Sequence, residues 1–159
     1  MNIQKGQQAP AFTLYNTEKQ LVSLSDYSGR NVLLLFFPFA FSSTCTAELC
    51  SVRDNLSVYE ALNTNILGIS VDSLYTLARF KSDQHLNFPL LSDFNKEASA
   101  AYDCLYETFN YGMKGVSKRA AFIVGATGTI EYAEVLEKAS DQPDFELIRQ
   151  VLGRISGPI

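Results

Sequence analysis

The sequence predicts an α/β domain in which a mixed central sheet carries helices on both faces. Three observations carry that prediction. Residues 32–37 are apolar at every position, as in a central strand covered from both sides. Leu49, Val52, Leu56, Tyr59 and Leu62 then recur at three- and four-residue steps, which defines a helix of about four or five turns starting at Cys45. A second buried strand, residues 65–71 with Gly68 in it, follows that helix and closes a strand–helix–strand unit.

The remaining elements fall in place around this unit. The chain opens with two short strands, residues 11–14 and 21–23, joined by a polar turn at 16–19, and a turn at 26–31 leads into the central run. Ser73 caps a helix that reaches about His85, with Leu74, Leu77, Ala78 and Phe80 facing inward. Residues 88–91 read as a short extended link and 96–102 as a short helix, while 103–115 show little regular pattern. Residues 120–124 form another apolar strand, and a hairpin turn at 126–128 returns the chain as 129–136. Pro143 suits the first turn of a last helix, where its missing N–H costs nothing. Phe145, Ile148, Val151, Leu152 and Ile155 make that helix's apolar face. A β-α-β crossover first and a β-hairpin plus helix last suggest a thioredoxin-like architecture, with residues 1–159 as a single domain.

Composition narrows the function. With 159 residues, 47% hydrophobic and 19% charged, the chain can bury a core of ordinary size. Its formal charge of −4 comes from 13 basic and 17 acidic residues, and the basic ones are scattered, so neither a nucleic-acid footprint nor a polybasic membrane patch is expected. Residues 1–6 show no apolar leader, and no apolar run approaches the roughly 18 residues of a membrane span. A cytoplasmic location is the default expectation. In that compartment cysteines work as thiols more readily than as a disulfide framework.

The chemistry concentrates at the junction between the central strand and its helix. Pro38, Ser42 and Cys45 stand at P-x-x-x-S-x-x-C spacing, and Cys50 follows five positions on. A strand-to-helix junction places the Cys45 sulfur near free backbone N–H groups and the positive end of a helix dipole, which favours thiolate over thiol. Lowering a thiol pKa from about 8.5 to about 6 needs about 3.4 kcal/mol, whereas a helix N-terminus gives at best about 2 kcal/mol. A fixed cation or several donors must contribute the rest. Arg119 is the candidate cation, because it opens a buried strand expected to end beside this junction. Ser42 is the candidate donor and acceptor, and Pro38 can shield the sulfur from water. Glu48 can orient the Arg119 guanidinium, stand as an exposed first-turn carboxylate favouring the helix N-terminus, or join Phe37 and Phe41 in a substrate pocket. Phe37, Phe39 and Phe41 alternate beside the cysteine as candidates for the apolar wall of that pocket. Cys104 lacks such a context and reads as structural, His85 reads as structural or solvated, and a metal site is not expected from one histidine and no C-x-x-C pair.

These residues resemble the peroxiredoxins, whose signature is P-x-x-x-(T/S)-x-x-C with an arginine far downstream. Pro38, Ser42, Cys45 and Arg119 match it position by position. Gly6, Pro10 and Phe12 are similar to the family's opening, residues 68–72 to its second core strand, and residues 88–93 to the turn after that strand. The spacing of Cys45, Glu48 and Cys50 is most similar to the bacterioferritin-comigratory-protein branch. The resemblance implies that Cys45 attacks hydrogen peroxide or an alkyl hydroperoxide, without metal, haem or flavin. It also implies that Cys50 resolves the resulting sulfenic acid, and that thioredoxin, glutaredoxin or a low-molecular-weight thiol recycles a monomer or homodimer. On one continuous helix, however, Cα atoms five residues apart sit about 8.6 Å from each other, beyond the roughly 7 Å a disulfide spans. The first turn must therefore unwind after oxidation. Ser42 stands where threonine is commoner, and residues 103–118 depart from the family pattern.

Two other functions share this fold. A thiol–disulfide oxidoreductase would more naturally carry C-x-x-C than C-x4-C, and would have a proline before the strand that Arg119 opens. A peroxide-sensing or binding module would react slowly and hold a stable oxidised state.

Overall fold

Asn31–Phe36 forms β3, six consecutive buried residues at the centre of a seven-stranded sheet in the computed structural model, which describes residues 3–156. Met1 and Asn2, the start of the segment expected to be leaderless, lie outside the described residues, as do residues 157–159. The other strands are β1 (Thr13–Asn16), β2 (Leu21–Ser23), β4 (Thr64–Ser70), β5 (Leu90–Ser92), β6 (Arg119–Val124) and β7 (Ile130–Leu136), in spatial order β2-β1-β5-β4-β3-β6-β7. β3 runs parallel to β4 and antiparallel to β6, so the sheet is mixed as expected.

The period of two along β3 sorts its side chains between two cores. Leu33 and Leu35 join Leu49 and Val52 of α1 (Ser43–Asp54), Tyr59 of α2 (Leu56–Ala61), Leu77 and Phe80 of α3 (Leu74–Asp83), and Ile148 and Leu152 of α5 (Phe145–Ser156). Val32, Leu34 and Phe36 meet Phe12, Tyr102 and Ala98 of α4 (Glu97–Ala101) on the other face. Each fully buried leucine or phenylalanine here contributes about 1.5–3 kcal/mol. Gly68 of β4 is required by this packing, since a Cβ there would stand 2.6 Å from Leu90 Cδ2.

Four elements differ from the sequence reading. The helix expected from Cys45 to Leu62 begins at Ser43 and breaks at Asn55, whose ψ of 16° is non-helical and whose Nδ2 donates to Ser51 O at 2.8 Å. The expected extended link at 88–91 contains β5, paired with both β4 and β1. The first strand lies at Thr13–Asn16 rather than 11–14. Pro143 precedes the last helix instead of starting it: Asp144 Oδ1 accepts the Leu147 N–H at 3.1 Å and acts as the cap. Ser73 caps α3 as expected, its side chain accepting from the Thr76 N–H.

Candidate active site

The end of β3 delivers the site. Phe37 N–H still donates to Ile69 O at 3.0 Å, and buried Pro38, with no N–H of its own, ends the ladder. The loop beyond it is tied down by Asp72, whose Oδ2 accepts from the Ala40 N–H and from Ser70 Oγ, each at 2.7 Å. Burial raises the Asp72 carboxyl above its ordinary range, against the pull of those two donors. Phe41 takes a left-handed φ of 69°, and this turns the chain into α1.

Cys45 is the third residue of α1 and is fully buried. The first helical bond runs from Thr46 N–H to Ser42 O at 2.9 Å, so the N–H groups of Ser43, Thr44 and Cys45 precede the ladder, where they favour a negative charge. Ser42 does not use its side chain as a cap, because its hydroxyl donates to Phe39 O at 2.9 Å.

β6 supplies the cation. Its pairing sets Ala120 opposite Phe36, which leaves Arg119 level with the residues just beyond β3. Arg119 Nη2 donates to Cys45 Sγ at 3.2 Å and to Ala139 O at 2.8 Å, while Nη1 donates to Glu48 Oε1 at 2.6 Å. Nε adds a bond to Ala139 O at 3.3 Å. Burial works against the guanidinium charge, but Glu48 and Cys45 more than offset it and hold Arg119 above its ordinary value. Burial pushes the Glu48 carboxyl up to about 7, opposed by Arg119, and its Oε2 is buried with no hydrogen-bond partner.

A cavity of about 240 Å³ opens beside this group, lined by Pro38, Phe39, Ser42, Phe109 and Arg119 among others; fully buried Cys45 touches Arg119 but does not itself line it. The structure therefore brings Pro38, Ser42, Cys45, Glu48 and Arg119 together. It does not bring Phe37 or Phe41 to the cavity. Phe37 is fully buried in the core against Phe80 at 6.4 Å, and Phe41 packs on the same Phe80 at 5.1 Å with its other side exposed. Glu48 likewise sits behind the arginine and does not line the cavity. Phe39 is the phenylalanine of that alternating set that does, 6.2 Å from Phe109. Asp72, Phe109 and the Ala139 carbonyl carry no mark of the site in the sequence. All three lie in loops or at a strand end, where no periodicity distinguishes them.

Cys50 lies at 3.5 Å from Gln84 Oε1, to which its thiol donates. Cys45, Cys50 and Cys104 are all free thiols here. Among the described residues, no group of three or more His, Cys, Asp and Glu side chains is placed to hold a metal ion, and no helix is long and apolar enough to cross a membrane.

A helix-borne thiol faced by a buried guanidinium, on a thioredoxin-like sheet, defines a class of enzyme: the thiol-dependent peroxidases. The chain belongs to the AhpC/TSA family, whose sequence profile matches residues 5–133. It is 39% identical over 145 residues to bcp of Haemophilus influenzae, covering 90% of this chain and 92% of that protein. It is also 39% identical over 131 residues to alkyl hydroperoxide reductase E of Mycobacterium bovis, covering 82% and 84% of the two chains. Among solved structures its backbone is similar to that of PrxQ from Xylella fastidiosa, with a TM-score of 0.85 at 24% identity over 96% of each chain, a likeness that bears on the fold.

Proposed function

We propose that the chain reduces hydrogen peroxide and alkyl hydroperoxides through a sulfenic acid on Cys45. The observation that carries this reading is the 3.2 Å contact between Arg119 Nη2 and Cys45 Sγ beside the cavity. The thiolate attacks the terminal oxygen of ROOH: an S–O bond forms, the O–O bond breaks, and the departing alkoxide takes a proton from water to leave as ROH. Sulfur is oxidised and the peroxide reduced. Negative charge moves from sulfur onto the peroxide oxygens, and fixed donors at the cavity wall are suited to follow it: the Arg119 guanidinium and the N–H groups that begin α1. Ser42, with its proton committed to Phe39 O, offers lone pairs to the hydroperoxide O–H. Pro38 and Phe39 give the cavity an apolar rim that excludes water and accepts an alkyl group.

Cys50 then condenses with the sulfenic acid. The Cys50 thiolate attacks Cys45 sulfur, an S–S bond forms, and the hydroxyl leaves as water with the proton that Cys50 gave up. Thioredoxin or a similar dithiol returns both cysteines to thiols. A reducing compartment such as the cytoplasm suits this cycle, which starts and ends with free thiols. The test is peroxide consumption coupled to thioredoxin and its reductase, with hydrogen peroxide and with an organic hydroperoxide. Turnover by the parent protein and none by Cys45→Ser is expected. A Cys45→Ser protein that still consumes peroxide refutes the reading, and a Cys50→Ser protein with undiminished dithiol-dependent turnover refutes the resolving role.

A further inference from the structure

α1 is held very differently at its two ends. At the start, the Ser42 hydroxyl caps nothing, and Ser43, Thr44 and Thr46 are poor helix formers. At the far end the helix is fastened to the end of α3. Cys50 Sγ donates to Gln84 Oε1 at 3.5 Å, Arg53 Nη1 donates to Gln84 O at 2.6 Å, and Asn87 Nδ2 donates to Arg53 O at 3.2 Å. Gln84 is the C-cap of α3, so its backbone is fixed by its own helix while its carbonyl and side chain both engage α1.

We propose that Gln84 is a positioning residue for the resolving step: a latch that keeps Cys50 folded into α1 until Cys45 has been oxidised. The proposal rests on the reading of Cys50 as the resolving cysteine. The Cys50 thiol donates to Gln84 Oε1, and this bond holds the sulfur against the end of α3. Arg53, one turn further along α1, is fastened to the carbonyl of the same residue, so the latch grips the helix at two points. Releasing the latch therefore frees the sulfur to move toward Cys45. The first turns of α1 have no side-chain cap and are held by Arg119 at Cys45 and Glu48, so unwinding begins at Ser43 once Cys45 is oxidised and carries Cys45 toward Cys50 while the far end stays pinned. The last contact to break is the one to Gln84. The step balances: Cys50 sulfur displaces the Cys45 hydroxyl, which leaves as water, and the peroxide is the only oxidant.

The consequence is a partition. While the latch holds, sulfenic acid on Cys45 waits, and a second peroxide can oxidise it to sulfinic acid, a fate that disulfide formation prevents. The experiment follows Cys45–Cys50 disulfide by quenched mass analysis after one equivalent of hydrogen peroxide, and sulfinic acid under excess peroxide, in the parent, Gln84→Leu and Gln84→Glu. Leu removes the acceptor at similar volume; Glu keeps it. Disulfide should form about fivefold faster in Gln84→Leu, the factor one net hydrogen bond represents, with correspondingly less sulfinic acid. Gln84→Glu should form disulfide no faster than the parent. An unchanged or slower rate in Gln84→Leu overturns the proposal, and so does equal acceleration in both variants, which would mark a general loosening. Peroxide-treated parent protein that contains no Cys45–Cys50 linkage overturns the resolving role of Cys50 itself, an outcome distinct from a mere failure of the latch.

Discussion

Arg119 Nη1 donates to Glu48 Oε1 at 2.6 Å, joining the first residue of β6 to the middle of α1 with both side chains at most 1% exposed. The same guanidinium reaches Cys45 and Ala139, so one side chain orients the sulfur, the helix that carries it and the loop after β7. The planar fork matters as much as the charge.

Replacing Arg119 should therefore fail in two ways at once. Arg119→Met removes a donor aimed at developing charge, worth about a hundred- to a thousandfold in rate. It also leaves Glu48 buried without its partner, at a cost of about 3 kcal/mol in stability. Arg119→Lys keeps a charge but cannot serve Glu48, Cys45 and Ala139 together, and should recover little of the rate. Stopped-flow peroxide kinetics and urea unfolding check both effects. A lysine variant that reacts as fast as the parent would show that the fork geometry is dispensable.

Glu48 should make stability depend on pH in a particular window. Its carboxyl titrates near 4.5 in the unfolded chain and is pushed up to about 7 by burial in the folded one. Between these values the folded state binds the extra proton, so the stability it contributes is complete below pH 4.5 and is lost as pH rises through about 7. The amide of a Glu48→Gln variant cannot titrate. The difference in unfolding free energy, parent minus variant, should fall across that window and stay level on either side. A difference that stays constant from about pH 4 to about pH 8 would place the Glu48 carboxyl in the ordinary range.

Cys104 should be silent. It is fully buried on the other face of the sheet, 3.8 Å from Ser117 Oγ, and burial pushes its thiol up to about 12. At pH 8 such a group is ionised to only about one part in ten thousand. Brief alkylation of the native protein at that pH should label half-buried Cys50 and spare Cys104, and Cys104→Ala should keep near-parental peroxidase activity. Labelling of Cys104 before unfolding would contradict its placement.

Much of this arrangement is legible without any coordinates, because burial leaves a periodic trace. The unbroken apolar run of β3 and the period of α1 follow from hydrophobic pattern, while the expectation that Arg119 lies beside the β3 end rests on its opening an apolar strand and on the family resemblance. The break at Asn55 leaves no such trace: Val52, Leu56 and Tyr59 keep facing the core across it, so the period continues while one ψ departs. β5 is only three residues long and exists because β4 and β1 flank it, a non-local cause. The alternation of phenylalanines suggests Phe37 and Phe41 as pocket wall, whereas neither lines the cavity beside Arg119, for a related reason. Alternation holds only while the strand lasts; β3 ends at Phe36, and the left-handed turn at Phe41 breaks the sequence of facing sides. Phe109 lies in a segment with no regular pattern, where only tertiary contact with Phe39 reveals it.

Asp72 supplies the sharpest test of whether the loop after β3 must be held in place. Its carboxylate gathers the Ala40 N–H and the Ser70 hydroxyl, each at 2.7 Å, and so fixes the turn between Pro38 and Ser42 without touching the cavity. Asp72→Ala abandons both donors, at about 1–3 kcal/mol for a part-buried N–H left without its partner. Asp72→Asn retains one carbonyl oxygen and should lose less. If the turn sets where Ser42 and the first N–H groups of α1 point, displacement of even an ångström should slow peroxide reduction, by up to about a hundredfold in the alanine variant, with asparagine intermediate. The two variants should therefore rank the same way in unfolding free energy and in second-order rate. An alanine variant that is destabilised yet reacts with peroxide at the parental rate would mean that α1 and Arg119 aim the site by themselves, with the loop serving stability alone.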